Sequence, residues 1–386
     1  MMETVIAGAG LVCLVLAGMG CVYALAAAAA VRGFRSDGGQ PPATFPGVTI
    51  LKPLAGAEPG LYDDLTSFCD QDYRGPVQIL FGVQDGDDAA VEVVERLIAE
   101  RPGRHLELVV HAAARGANPK IANIAALERS MRHELVILAD ADIAVEPGYL
   151  RETIAALGAP SVGAVTHLYR GVARAGIWSR LASMGIDYHF LPGVIVGLKL
   201  GLARPCFGST IALRRDTLAA IGGFVRFADH LADDNAIGEA VRALGMRVAI
   251  PSMVLAHSCA ERSAAELVRH ELRWARTVRA VDAAGFAGSL VTHPLPFALL
   301  GAALTGFGAL GAASLTAAIA CRLALQLQID HALKVRSDRW WLEPLRDLLA
   351  FGVYIASFLV DVVSWRDHRY RVRSDGTLIA LGEPKP

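Results

Sequence analysis

Three acidic clusters, one lysine and a basic-aromatic stretch are the parts of this chain whose residue types and spacing could do chemistry. Asp85-Gly86-Asp87-Asp88 follows the apolar run VQILFGVQ. Carboxylates at the end of a strand accept hydrogen bonds from a base or a ribose, and a polar turn running into a helix N-cap would use the same residues. Asp140-Ala141-Asp142 follows LVILA. Two carboxylates one residue apart can hold a hard divalent cation that also binds diphosphate oxygens, against the plainer reading of a strand-to-turn transition. Lys120 opens the pattern PKIANIAAL, where a cation near a helix start either meets a phosphate or is a solvated surface lysine. Asp233-Asp234 opens DDNAIGEAVRAL. The choice there lies between a general base tuned by its neighbour and first-turn acids that favour the helix dipole. Between Ser263 and Ala283, His270, Arg273, Trp274 and Thr277 fall on one face at helical spacing. Arginine offers a forked cation for phosphate oxygens and tryptophan a flat wall for a sugar or acceptor. An amphipathic interfacial helix would carry the same two residues.

These residues need a scaffold, and the pattern around them supplies one. Val48–Leu51, Val77–Val83, Leu106–Val110, Leu135–Ala139 and Val162–Val165 read as strands. Pro59–Cys69, Asp88–Glu100, Pro119–Met131 and Pro147–Leu157 read as the helices between them. Strand and helix in turn, with continuous apolar strands, predict an α/β fold with a mostly parallel sheet covered on both faces. Such sheets bind ligands at the carboxyl ends of their strands, where the first two acidic clusters stand.

Composition points to a membrane. Of 386 residues, 53% are hydrophobic and only 19% charged, with a mean hydropathy of +0.40, too apolar for an ordinary soluble enzyme. A formal net charge of -1 gives no case for binding nucleic acid through its phosphates. Cys13, Cys21, Cys69, Cys206, Cys259 and Cys321 are scattered and read as buried thiols in a reducing compartment. Thr4 to Val31 is almost wholly apolar, with Glu3 before it and Arg32 and Arg35 after it. A signal peptide wants positive charge before its apolar run, so a retained anchor is expected, with the following domain in the cytoplasm. Ala283 to Leu327 suits two helices joined near Gly306–Gly311, and a third apolar run spans Leu345 to Val363. Ile177 to Leu200 is apolar but carries Pro192, which suits an interfacial or a buried core segment. The expected domains are therefore an N-terminal anchor (1–35), a cytoplasmic domain with interfacial helices (36–282), and a C-terminal membrane region of two to three spans with a basic tail (283–386).

The order of the clusters (acidic strand end, DxD, acidic pair, RW) resembles the inverting family-2-like glycosyltransferases. Within them the chain is similar to the ceramide glucosyltransferase family and its bacterial hopanoid-associated relatives. The resemblance covers ILKPLAGAEPGLYDDLTSFCDQDY, FGVQDGDDAAVEVV, NPKIANI, FGSTIALRRDTLAAIGGF, HELRW and SWRDHRYRVR. WSRLASMGIDYHFLPG and LGLARPCFGST look closest to the hopanoid-associated branch. It implies a GT-A-like nucleotide-sugar-binding domain flanked by transmembrane helices, in a bacterial inner membrane.

The resemblance also implies roles. Asp85 and Asp88 would cradle the uridine, Lys120 would sit near the donor, and Asp140 with Asp142 would hold Mg²⁺ or Mn²⁺. Asp234 would be the catalytic base with Asp233 beside it. Arg273 and Trp274 would serve the donor, and His270 stands where the family has Gln or Arg. The implied reaction moves one sugar, glucose or N-acetylglucosamine, from a UDP-sugar to a hydroxyl of a ceramide or hopanoid polyol. A single in-line displacement would invert an α-linked donor to a β-glycoside, and no protein partner is implied. A processive polysaccharide synthase would need more helices to enclose a channel. A silent nucleotide-sugar-binding scaffold would not need Asp234 or the RW pair.

Overall fold

The computed structural model describes residues 2–34, 44–111, 117–335, 340–359, 362–365, 368–372 and 377–380. Arg35, most of the Pro/Gly linker, and Arg366 and Arg373 of the basic tail lie outside the described residues. The elements run α1 (Met2–Arg32), β1 (Val48–Pro53), α2 (Leu61–Cys69), β2 (Val77–Val83), α3 (Ala90–Glu100), β3 (His105–Val110) and α4 (Pro119–Leu127). Then come β4 (Leu135–Ala139), β5 (Ile143–Ala144), α5 (Tyr149–Leu157), β6 (Val162–Thr166), β7 (Leu168–Ala173), α6 (Ile177–Gly185) and α7 (Leu191–Lys199). The third stretch holds β8 (Thr210–Arg214), α8 (Arg215–Ala220), α9 (Asp233–Ala243), β9 (Arg247–Ala249), β10 (Val254–Cys259) and α10 (Ala264–Val281). Last are α11 (Ala283–Gly288), α12 (Pro294–Leu304), α13 (Ala309–Leu333), α14 (Glu343–Leu359), β11 (Val362–Trp365), β12 (His368–Val372) and β13 (Leu378–Ala380).

The chain divides into two compact units. An α/β unit comprises Ser36–Ser179, Pro205–Ala260 and Asp367–Pro386, and a helical unit comprises Met1–Arg35, Arg180–Arg204 and Glu261–Arg366. Residues 180–204 and 261–282, which composition placed with the middle domain, are thus grouped with the terminal helices.

In the α/β unit a seven-stranded sheet has the order β3-β2-β1-β4-β8-β6-β9. β1 pairs in parallel with β2 and β4, and β2 in parallel with β3, while β8 runs antiparallel to both β4 and β6. Successive side chains point to opposite faces, and both faces are covered. Ile50, Ile79, Phe81 and Ile137 face Leu65, Phe68, Val94, Leu97 and Ile154 of α2, α3 and α5. On the other face Leu51, Leu80, Val136 and Leu138 meet Ile121, Ile124, Leu218, Ile237 and Val241 of α4, α8 and α9. Each such side chain contributes about 1.5–3 kcal/mol by leaving water, which is why these strands show no polar face. A second sheet, β5-β10-β7, lies beyond the end of β4.

In the helical unit, α1, the Ile177–Lys199 helix and α13 are each long and apolar enough to cross a membrane. Ala283–Thr292 and Pro294–Leu304, bent by 59° at their break, would make a fourth span if taken together. Pro192 does not break its helix. It falls just after a π-helical turn at Ile186–Phe190, where the ladder of main-chain hydrogen bonds is already shifted. The third C-terminal apolar run forms a 17-residue helix ending at Leu359, with Glu343, Arg346 and Asp347 buried, followed by β11. It is not among the described helices that are long and apolar enough to span. α1 packs on α12 and α13 through small residues. A Cβ at Gly20 would lie 2.8 Å from Pro294 Cβ, and one at Gly10 2.8 Å from Thr305 Cγ2, so only glycine allows this approach. Outward-facing Val5, Leu11, Val12, Val15 and Val22 suit a lipid environment. Inside, Arg322 pairs with Glu343 at 2.7 Å and Arg346 with Glu271 at 2.5 Å, so the buried charges are compensated.

Candidate active site

Sheet topology gathers the acidic motifs. Asp140 directly follows β4, and β8, antiparallel to it, begins with Thr210 opposite Ala139. The segment Phe207–Ser209 therefore reaches the same edge, where the Asp140 amide donates to the Ser209 carbonyl at 3.3 Å. α4 enters from the other side. Asn118 caps it, accepting from the Ile121 amide at 3.2 Å, and Pro119 fills the first position, where no donor is required. The Asn118 side-chain amide donates to the His230 carbonyl at 2.9 Å and to Asp233 Oδ1 at 3.2 Å. That cap ties the start of α4 to the start of α9.

Lys120 is the result of this tie. Its Nζ lies 2.7 Å from Asp140 Oδ1 and 3.4 Å from Asp233 Oδ2, so the solvated-lysine reading is corrected. Burial alone would lower its pKa, but Asp140, Asp233 and Asp234 outweigh burial and hold it above the usual lysine range. Asp140 is raised above a normal carboxyl, chiefly by burial, with Lys120 opposing and Asp142 adding to the shift.

Asp234 accepts the Gly208 amide on Oδ2 at 2.8 Å and the Asn235 amide on Oδ1 at 2.7 Å. Burial, and then the neighbouring Asp233 charge, raise it to about 6, while Lys120 and the two amides restrain the rise. A carboxylate so tuned is poised to take a proton near neutral pH. Gly208 sits among all three motifs. A Cβ there would lie 3.0 Å from Lys120 Nζ, 3.3 Å from Asp140 Oδ2 and 3.5 Å from Asp234 Oδ2. Gly208→Ala should therefore fold normally but lose about tenfold to a hundredfold in turnover, because small displacements of reacting groups cost that much. Thermal melting alongside steady-state kinetics checks it, and wild-type turnover would contradict it.

Asp142 points toward the second sheet. β5 pairs antiparallel with β10, and His257 Nε2 comes 3.3 Å from Asp142 Oδ2. The other oxygen of Asp142 is buried without a hydrogen-bond partner. An orphaned carboxylate oxygen beside an imidazole nitrogen is the donor chemistry of a divalent-cation site, so these residues fit one. Behind the DxD turn, the fully buried Lys52 donates to the Asp140 carbonyl at 2.5 Å and lies 3.8 Å from the centre of the Phe68 ring. Burial lowers it to about 8, against the pull of Asp142, Asp140 and Asp64.

Asp85 and Asp88 follow β2, whose carboxyl end lies at the same sheet edge as that of β4, since both pair in parallel with β1. Asp88 accepts from the amides of Gly56 and Ala90, both at 2.8 Å, and Asp85 accepts from Asp87 N at 3.0 Å. The first acidic cluster thus forms a capped turn that also pins the loop after β1. His270, Arg273 and Trp274 lie on α10 of the helical unit, half-buried. His270 Nδ1 is 2.6 Å from Glu261 Oε1 and its ring stands edge-on to Trp274 at 4.5 Å. Lys52, Asn118, Gly208 and His257 escaped the motif reading. A lysine inside VTILKP, Asn before Pro at a helix start, and a histidine inside VLAHSC were the available signals.

The family model for glycosyl transferase family 21 matches residues 12–378. Ceramide glucosyltransferase 1 of Caenorhabditis elegans is 23% identical over 352 residues, covering 88% of this chain and 74% of that protein. Ceramide glucosyltransferase 3 of the same organism is 23% identical over 355 residues, covering 87% and 75%. Among solved structures, the mannosyltransferase PcManGT from Pyrobaculum calidifontis, in complex with GDP-Man and Mn²⁺, superposes with a TM-score of 0.53. It covers 92% of this chain and 99% of its own at 19% identity, which establishes a shared GT-A-like fold. With a match spanning nearly its whole length, the chain belongs to glycosyl transferase family 21 and is a ceramide glucosyltransferase-like, membrane-associated glycosyltransferase.

Proposed function

We propose that the protein transfers a single sugar from a UDP-sugar to a hydroxyl of a membrane lipid, with inversion at the anomeric carbon. One observation carries this reading: the DxD turn and the Asp233-Asp234 pair converge on one sheet edge around Lys120 and Gly208. Asp234 takes the proton of the lipid hydroxyl as its oxygen forms the new bond to the sugar. The bond to UDP breaks in the same step, and the nucleotide departs with that electron pair. Asp142 and His257 would hold a divalent cation, which supplies positive charge for the departing diphosphate. Lys120 keeps Asp140 and Asp233 in place and brings a fixed positive charge to the same edge. Asp85 and Asp88 are proposed for the uridine side, and Arg273 and Trp274 for the donor, on their motifs alone.

The relatives that the chain resembles support a ceramide-type acceptor, and the sequence features that look closest to the hopanoid-associated branch support a hopanoid polyol. Both offer a primary or polyol hydroxyl at the membrane surface. The α/β unit would work on the cytoplasmic side of a bacterial inner membrane, where Arg32 follows the first span. Mass spectrometry of lipids from cells with and without the gene tests the proposal. A glycolipid that disappears with the gene and returns with it is expected. An unchanged lipid profile, with no UDP released by the purified protein, would remove it.

A further inference from the structure

The aromatic residues between the proposed cation site and the proposed base form a connected brace. Tyr169 stands on β7 opposite Leu255 in the parallel pairing with β10, so its ring shares a sheet face with His257 two residues on. The two rings stack at 5.5 Å with 30° between their planes. Tyr169 also meets Phe207 edge to face at 5.9 Å and 90°. Phe207 is pinned in turn: its amide donates to Thr166 Oγ1 at 3.0 Å and its carbonyl accepts from that hydroxyl at 3.1 Å. The next residue is Gly208, whose amide holds Asp234. An unbroken run of contacts therefore joins His257, beside Asp142, to Asp234.

We propose that Tyr169 is a positioning residue whose ring sets the orientation in which His257 presents Nε2 toward Asp142. The proposal rests on the reading that Asp142 and His257 hold the cation. An imidazole has two ring torsions to lose on binding a metal, and its other nitrogen is usually anchored by a strong hydrogen bond. His257 Nδ1 also lies 3.9 Å from the Cys259 thiol sulfur. The stacked Tyr169 ring adds a restraint on the imidazole's rotation, and offset aromatic pairs are worth enough to contribute to it.

The test titrates Mn²⁺ into the purified full-length protein in detergent with UDP present, following free Mn²⁺ by electron paramagnetic resonance. Wild type is expected to bind Mn²⁺ and Asp142→Ala to lose it. Tyr169→Ala should weaken Mn²⁺ binding by about tenfold to a hundredfold, the usual cost of losing a group that orients a ligand. Tyr169→Phe, which keeps the ring, should stay near wild type. Phe207→Leu leaves Tyr169 in place without its edge contact and should weaken binding by a smaller factor, a readout that stands if Tyr169→Ala does not fold. Asp142-dependent binding that neither Tyr169→Ala nor Phe207→Leu changes overturns the proposal alone. Equal loss in Tyr169→Phe and Tyr169→Ala also overturns it, because the hydroxyl and not the ring would then matter. If wild type shows no Asp142-dependent binding, the cation site falls and the proposal with it.

Discussion

Asp234→Asn should lower turnover by roughly two to four orders of magnitude, the span expected when a general base is removed. The structure explains why the change is clean. Each oxygen of Asp234 accepts one main-chain amide, from Gly208 or Asn235, and keeps a second lone pair for a substrate proton. Asparagine retains the shape and one of those two hydrogen bonds, but its carbonyl is too weak a base to accept a proton. Binding of UDP should change little, since this residue acts on the acceptor. The pH profile gives an independent check. With its carboxyl raised to about 6, Asp234 loses its proton as pH rises through 6. Turnover of wild type should accordingly climb about tenfold per unit below that pH and level above it. The residual activity of Asp234→Asn should lack this limb. For stability the sign is opposite. A carboxyl raised on folding favours the folded state below its unfolded pKa, near 3.9, and that contribution is lost as pH rises to about 6. Melting at pH 8 should therefore show no loss of fold in the variant. Asp233→Asn should be milder in turnover, because Asp233 faces Lys120 and Asn118. If Asp233→Asn is the dead variant and Asp234→Asn is active, the base is assigned one residue too late.

Chelation of divalent cations should cost turnover nearly as much. A diphosphate leaving group carries charge that the bound cation would offset, an effect worth several kcal/mol, or about three orders of magnitude in rate. Asp142→Ala and His257→Ala should each reproduce most of this loss and raise the Mn²⁺ or Mg²⁺ concentration needed for half-maximal turnover. Asp142→Ala should leave membrane insertion intact, since the residue is part of the α/β unit and a third of its side chain is exposed. Atomic absorption of the washed protein, with rate measurements in excess EDTA and after returning Mn²⁺, separates the outcomes. Full turnover in EDTA would remove the cation from the reaction. A metal dependence kept by both variants would move its ligands elsewhere.

The first half of the chain was largely legible because local pattern and tertiary role coincide there. VQILFGV and LVILA are continuous apolar runs, and only a strand buried on both faces needs that composition. Pro119 and Ser263 open stretches that read as helical, and in the structure Asn118 and Ser263 cap α4 and α10. Beyond Thr166 the pattern is less informative. β8 and β10 are short, and nothing in TIALR or VLAHSC states that one runs antiparallel in the main sheet and the other builds a second sheet. Leu345–Val363 falls on a helix that ends at Leu359 and a strand that begins at Val362, a break that hydropathy alone does not state.

The sequence by itself determined the chemistry on offer: paired carboxylates after a buried strand, an acidic pair opening a helix, and enough apolar helix to meet a bilayer. These follow from residue type and from periods of two and 3.6, which are local properties. Only the tertiary structure decided which groups meet. Lys120 reaches Asp140 and Asp233 because a cap joins α4 to the loop before α9 across more than a hundred residues. His257 reaches Asp142 because β10 folds back on β5. The rise of Asp234 to about 6 comes chiefly the same way, from burial, to which its sequence neighbour Asp233 adds charge. Those are sums over everything packed nearby, and no window of the chain contains them.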